Sequence, residues 1–394
     1  MTTRQVVVCA ALRAPIGKFG GSLKDVTTVD LGSAVVRAVV ARAGIDPTRI
    51  EQAVVGNVIH TDMRDMYLAR AVAINGGLSS ETPALTLNRV CGSGLQAIIS
   101  AAQAIMLGDC DVALAGGVES MSRAPYWLPS MRWGQRINDS TVRDPMVGAT
   151  TDPFAGCAMG ITAENVATRY GVTRDMQDAW ALQSQQRAAA AQAAGHFVGQ
   201  IVPIAVPIKG GIQAFDSDEG IRADTTSAIL AKLRPAFDAQ GSVTAGNSSS
   251  LNDGAAMLIL AEAQVAQAAG WPIVARLVGY SHVGVDPAYM GIGPIPAIQK
   301  LWQRTGIGRD AVALYEVNEA FAAQAVAVTQ TLGLDPAIVN PHGSGISLGH
   351  PLGATGAIIA TKAIHELQRT AQQYAVTSLC IGGGQGIAAM WERA

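Results

Sequence analysis

The second part of this chain is written in the same order as the first, and that repeat restricts its fold more than any other feature. Ser93-Gly94-Leu95 and the apolar helix after it resemble Thr355-Gly356-Ala357 and the helix after that. The strand Val112 to Ala115, followed by Gly116-Gly117, resembles Val376 to Ile381 followed by Gly382-Gly383-Gly384. Gly254-Ala255-Ala256-Met257 resembles Gly386-Ile387-Ala388-Ala389-Met390. Spacing predicts further elements in the first half: a strand over Val6 to Ala10, a helix over Asp30 to Ala43 stopped by Gly44, a strand over Ala53 to Ile59 and a helix over Tyr67 to Asn75. Pro83 to Asn88 runs into the helix that Gly108 ends, and Asp111 to Ala115 reads as a strand broken by Gly116-Gly117. The second half begins near Trp271 and gives a strand over Ile273 to Val278, a helix over Pro296 to Thr305, a strand over Val312 to Val317 and a helix over Gly353 to Leu367. Strands alternating with helices imply an α/β fold, with parallel sheets covered on both faces.

Between Glu119 and Ser249 the character changes. This stretch carries Trp127, Trp133, several prolines and irregular spacing. Two helices follow, the second running from a Thr173 cap to a Gly195 stop. The insertion falls where the second half has only a short glycine hairpin. The expected organisation is an N-terminal α/β half (1–119 plus 250–270), an inserted loop domain (120–249) and a C-terminal α/β half (271–394). A duplicated pair of this kind places its site at the seam, where helix N-termini from both halves converge.

Charged residues are only 15% and hydrophobic ones 49%, so other subunits are expected to cover part of the surface. A net charge of −2 argues against nucleic acid and membrane surfaces as partners. The five cysteines are widely spaced, odd in number and form no CxxC pair. That excludes a disulfide framework and a zinc site, and suits a reducing cytoplasm. The opening MTTRQVVVCAALRAPIG reads as a strand and not as a signal peptide, and no uncharged apolar run is expected to span a bilayer.

Four segments could carry chemistry. Cys91 sits in a glycine-flanked turn at a helix start, where unpaired N–H groups and the helix dipole favour a thiolate. Gly92 and Gly94 clear the approach to its sulfur. Glu316 to Phe321 is a strand end passing into a helix, and Asn318 reads most simply as its N-cap. His350 stands between a glycine and a proline, and taken alone it is a loop-capping histidine. Cys380 ends a strand before three glycines, and taken alone it is a core residue. The glycine run lacks GxGxxG spacing, so nucleotide binding there is not expected.

Together, NRVCGSGLQA, NEAFAAQA, GHPLGATG and CIGGGQG resemble the thiolase family, the acetyl-CoA acetyltransferases and 3-ketoacyl-CoA thiolases. The resemblance covers nearly the whole chain and is strongest toward bacterial biosynthetic and broad-range β-ketothiolases. It implies duplicated halves layered α-β-α-β-α, an inserted loop domain that binds CoA, and a homotetramer built as a dimer of dimers. It implies acetyl-CoA, CoA and 3-ketoacyl-CoA as substrates, with no tightly bound cofactor. By resemblance Cys91 takes the acyl group, His350 takes its proton, and Cys380 shuttles a proton to or from the substrate α-carbon. Enolate charge would be met by His350 and a water on Asn318. Charge on the acyl-cysteine oxygen would be met by the N–H groups of Cys91 and Gly382, each such donor contributing about 3 kcal/mol. The kinetics implied are ping-pong. Arg222, Ser249 and Phe321 resemble CoA contacts, and Met159 and Met290 resemble methionines lining the acyl pocket. On its own, Arg222 would read as a solvated charge.

Three positions depart from the family pattern. Ala158 stands where many short-chain relatives carry histidine, which should widen the pocket and favour acyl chains longer than acetyl. Ser250 replaces a glycine, and His342 replaces a smaller residue near His350. A ketoacyl synthase or hydroxymethylglutaryl-CoA synthase would lack the second cysteine. A catalytically silent acyl-CoA binding protein on the same fold is the alternative from another class. Direction of flux, preferred chain length and pathway stay open at this level.

Overall fold

The computed structural model describes residues 4–394; Met1 to Thr3, which open the N-terminal segment, lie outside the described residues. The first half runs β1 (Val6–Arg13), β2 (Gly17–Lys18), α1 (Thr28–Ala43), β3 (Gln52–Gly56), α2 (Leu68–Asn75), β4 (Ala84–Leu87), α3 (Ser93–Leu107) and β5 (Val112–Ser120). An excursion follows with α4 (Pro145–Ala149), α5 (Met159–Tyr170), α6 (Arg174–Ala193), the hairpin β6 (Ile204–Ile208) and β7 (Gly211–Phe215), and α7 (Ser227–Ala231). The chain then returns through β8 (Asn252–Glu262) and α8 (Ala263–Ala268). The second half is β9 (Ala275–Gly284), α9 (Pro294–Thr305), β10 (Leu314–Val317), α10 (Ala322–Leu332), α11 (Thr355–Thr370), β11 (Tyr374–Ile381) and β12 (Gln385–Arg393).

The repeat survives as strand order. One sheet runs β10-β11-β12-β9-β1-β8-β5-β3-β4, with β2 paired to β8, so β3-β5-β8-β1 in one half mirrors β10-β11-β12-β9 in the other. The halves join where Val7 and Val8 of β1 pair with Arg276 and Ala275 of β9. The expected all-parallel sheets are corrected to a mixed sheet. Only β4-β3-β5 and β10-β11 run parallel, and β5-β8, β8-β1, β9-β12 and β12-β11 are antiparallel. The reason lies in the connections. β11 turns back into β12 through Gly382–Gly384, and β5 and β8 form the matching pair with the excursion looped out between them.

The layers follow from side-chain alternation along the strands. Leu258 and Leu260 of β8 face a central core with Leu95, Ile98 and Ile99 of α3 and Ile358, Ile359 and Ile364 of α11. Met257, Ile259 and Ala261 point the other way, onto Val35, Val36 and Val39 of α1 and Val72 of α2. On the far side, Ala388 and Met390 of β12 meet Ile298 and Leu301 of α9 and Val326 of α10. The order is helices, sheet, the α3–α11 pair, sheet, helices, which is the α-β-α-β-α arrangement.

Two expectations about glycine and hydropathy fail. Gly116-Gly117 does not break its strand, since β5 continues to Ser120. And Val90–Leu107 is an uncharged apolar run long enough by composition to cross a membrane. Its helical part, α3, has 15 residues and lies between the two halves of the sheet, its apolar length serving the central core.

Candidate active site

The start of α3 and the start of α11 meet with no side chain between them. A Cβ on Gly94 would lie 2.8 Å from the Ala357 nitrogen and 3.0 Å from the Gly353 oxygen, and one on Gly356 would strike Leu95. These glycines let two helix N-termini, one from each half, touch backbone to backbone. That contact brings the segment before α3, with Cys91, against the segment before α11, with His350.

Cys91, His350, Gly382, Arg222, Ser249, Met159, Met290 and Phe321 all line one cavity of about 430 Å³. Ala158, Phe237, Ser248, Leu251, Met121 and Leu352 complete much of its wall. Cys380 does not line it. Buried behind it, Cys380 packs with Met290, Ala320, Phe321 and Met159. Asn318 is also buried, and its Nδ2 lies 3.3 Å from His350 Nε2. Sequence-based reasoning placed Asn318 as an N-cap. That is corrected: α10 begins at Ala322 with Phe321 as its cap residue, so the Asn318 side chain is left for the imidazole.

His350 is fixed from three sides. Its backbone N–H donates to Asn252 Oδ1 at 2.9 Å. Nδ1 lies 2.7 Å from Thr355 Oγ1, whose hydroxyl also reaches the Pro351 carbonyl at 2.9 Å. With the threonine proton directed at that carbonyl, Nδ1–H is the donor and Nε2 carries the lone pair, faced by the Asn318 amide N–H. Burial holds the ring neutral, lowering its pKa to about 4.

The expected thiolate at Cys91 is overturned. Burial is the strongest influence and lifts the thiol to about 11, opposed by the N–H groups of Gly382 and of Cys91 itself and reinforced by the charge of Glu119. Desolvation outweighs the helix end, so a thiol and a neutral base line the same cavity at rest. The Cys380 thiol is pushed up further, by burial first and by Cys91 second. Val90, just before the nucleophile candidate, has φ 45°, a strained value for a β-branched residue.

Arg222 is exposed at the cavity rim, and its N–H donates to Gln185 Oε1 at 2.8 Å. Ser249 donates its N–H to the Ala320 carbonyl at 2.9 Å, and Ser248 bridges to Phe321, so the serine run is laid along the strand-to-helix turn. Ser250 has no positive φ, and its hydroxyl donates to Asn252 Oδ1 at 2.9 Å, so the departure from glycine leaves the loop unstrained. His342 does not line the cavity; its ring faces Glu366 at 2.8 Å and stacks edge-on with His196. Asn252, Thr355 and Phe237 escaped sequence-based reasoning. Thr355 alone carried a local signal, standing five residues after His350 within the quoted motif.

Residues 6–264 match the family described as Thiolase, N-terminal domain, and residues 271–393 match Thiolase, C-terminal domain. The chain is 55% identical to the protein named Beta-ketothiolase BktB from Cupriavidus necator, over 99% of this chain and 100% of that one. It is 47% identical to an acetyl-CoA acetyltransferase of Pseudomonas aeruginosa, over 98% of each chain. Among solved structures, human mitochondrial 3-ketoacyl-CoA thiolase in complex with CoA superposes with a TM-score of 0.97 at 42% identity, covering 100% of this chain and 98% of that one. An acetyl-CoA acetyltransferase of Bacillus anthracis gives the same TM-score, 0.97, at 45% identity over 100% of this chain and 99% of that one. With both family domains matched nearly end to end and full-length relatives near half identical, this chain belongs to the thiolase family.

Proposed function

We propose that the chain catalyses the reversible thiolytic cleavage of 3-ketoacyl-CoA, and its reverse condensation of acyl-CoA with acetyl-CoA, through an acyl group carried on Cys91. The observation that carries this reading is a thiol and a neutral imidazole, from opposite halves, opening on one cavity with a second thiol behind it. In thiolysis, His350 Nε2 takes the Cys91 proton and the sulfur attacks the 3-keto carbon. The N–H groups of Cys91 and Gly382 meet the oxygen that gains charge. The C2–C3 bond then breaks, and the leaving acetyl-CoA enolate takes a proton from Cys380. Asn318 Oδ1, buried without a protein partner among the described residues, is the acceptor for a water that would steady the enolate oxygen. The thiol of CoA then gives its proton to the Cys380 thiolate and attacks the acyl-Cys91 carbonyl; acyl-CoA leaves, and the departing sulfur takes back the proton held on His350 Nε2, restoring both thiols and the neutral imidazole.

Arg222 and Ser249 face the nucleotide and pantetheine parts of CoA, and Met159, Met290 and Phe321 surround the acyl group. CoA enters and leaves as substrate, and no bound cofactor is needed. Segment 120–249 acts as the CoA platform between the halves 1–119 with 250–270 and 271–394. The same segment supplies tetramer contacts, a role supported by the exposed Trp127, Met131, Trp133 and Ile137. Five free thiols suit a cytoplasmic enzyme. The direct test supplies acetoacetyl-CoA and free CoA and follows formation of acetyl-CoA. Turnover that vanishes in Cys91→Ala supports the reading; thioester binding without turnover would mark a binding protein instead.

A further inference from the structure

A buried carboxylate outside the reacting set sits between the two halves. Glu119, one residue before the end of β5, is fully buried and forms no ion pair with any described residue. Its oxygens are filled by N–H donors instead. Oε1 accepts from Asn57 Nδ2 at 3.0 Å and Ile59 N at 3.1 Å. Oε2 accepts from Val58 N at 3.0 Å and Gly353 N at 2.8 Å. Burial pushes its pKa up to about 8, opposed by the N–H groups of Ile59, Gly353 and Val58; a proton on either oxygen would face two N–H groups, so the donor geometry favours the anion against that burial. Three of the donors belong to the turn after β3 in the first half. The fourth, Gly353, belongs to the second half, three residues after His350.

Gly353 has no room for a side chain. A Cβ there would lie 2.8 Å from Glu119 Oε2 and 2.9 Å from the Asn57 Cα. The short segment from His350 to Thr355 is thus gripped twice by the first half, at its start by Asn252 on the His350 N–H and near its end by Glu119 on the Gly353 N–H. Within the segment, Thr355 holds the imidazole and the Pro351 carbonyl holds Thr355. We infer that Glu119 is a positioning residue for the base: it docks the His350 segment of one half onto the other and so sets the line from Nε2 to the Cys91 sulfur. A loosened grip would misaim the imidazole without touching CoA, whose proposed contacts lie on Arg222 and Ser249.

This inference rests on the proposed roles of Cys91 and His350, and the test separates the two. The full chain and its Glu119→Gln and Glu119→Asp variants are compared for folding by thermal melt, for covalent loading of Cys91 by acetyl-CoA, and for kcat and KM in thiolysis. Glutamine puts an NH2 group where two N–H donors point, and aspartate withdraws the carboxylate from Gly353 by one methylene. The expected result is a folded protein whose kcat and loading rate both fall tenfold or more while KM for CoA stays within twofold. If the parent chain itself fails to load, the function reading falls and takes this inference with it. If the parent loads and the folded variants load at its rate, only this inference is overturned. It is also overturned if neither variant folds, because the carboxylate then serves the fold and not the aim of the imidazole.

Discussion

His350 is buried and Cys91 half-buried, and desolvation keeps the imidazole and the thiol neutral at rest. The sign of the resulting pH dependence follows directly. His350 titrates near 4, so its base form persists below the ordinary imidazole value of 6.5. Single-turnover loading of Cys91 should therefore be flat from pH 7 through 6.5 and fall only toward 4; a limb centred on 6.5 would contradict the burial account. Folding adds a second effect in the same window. The unfolded chain binds a proton at this histidine more readily, so stability is lost as pH falls from 6.5 toward 4. Ala158 sits on the cavity wall at the start of α5. Restoring a larger polar ring by Ala158→His should cut kcat/KM on six-carbon 3-ketoacyl-CoA about tenfold relative to acetoacetyl-CoA, a change of about 1.4 kcal/mol. An unchanged ratio across a chain-length series would remove Ala158 as the determinant. Cys91, His350 and Cys380 were legible because each stands in a glycine-rich motif of unusual composition. Asn252 and Thr355 were not, because they matter only through contacts that the fold creates.

The crossing of α3 and α11 is the element on which the site depends. A methyl group at Gly94 would press on the Ala357 backbone, which cannot rotate away. Gly94→Ala should lower the urea midpoint by an amount worth about 1–3 kcal/mol, and the folded fraction should load Cys91 more slowly. Neutral stability in that variant would mean the helices are free to part. The same geometry explains the misread strand. Gly116 and Gly117 looked like a break, yet Gly117 lies directly under the Gly353 carbonyl, and its missing side chain lets β5 pass beneath the start of α11. A glycine that permits close approach and one that ends a strand are the same letter, and only the packing tells them apart. Helix ends were easier to read: Gly44 and Gly108 both take the left-handed conformation that stops a helix. The antiparallel strands were hidden for a different reason, since the excursion separates β5 from its partner β8 in sequence.

At the scale of the molecule, the likeness of the two halves could be read from the repeat, and their layering only from the family resemblance. The single continuous sheet could not, because two residue pairs between β1 and β9 join it. The excursion also leaves Trp133 89% and Ile137 77% exposed, large apolar side chains of the kind that subunit contacts cover. Light scattering should therefore give a tetramer for the parent chain, and a Trp133→Glu, Ile137→Glu double variant should give a smaller assembly. A monodisperse monomer for the parent would remove the tetramer reading. The central claim is that sulfur from one half and imidazole and sulfur from the other act on one thioester. Peptide mapping by mass spectrometry after incubation with acetyl-CoA tests it most directly. The account predicts one acetyl group per chain, on Cys91, lost in Cys91→Ser, slowed in His350→Ala and retained in a Cys380→Ser variant that no longer condenses. No covalent acetyl group, or one carried on Cys380 or Cys157 instead, would contradict it.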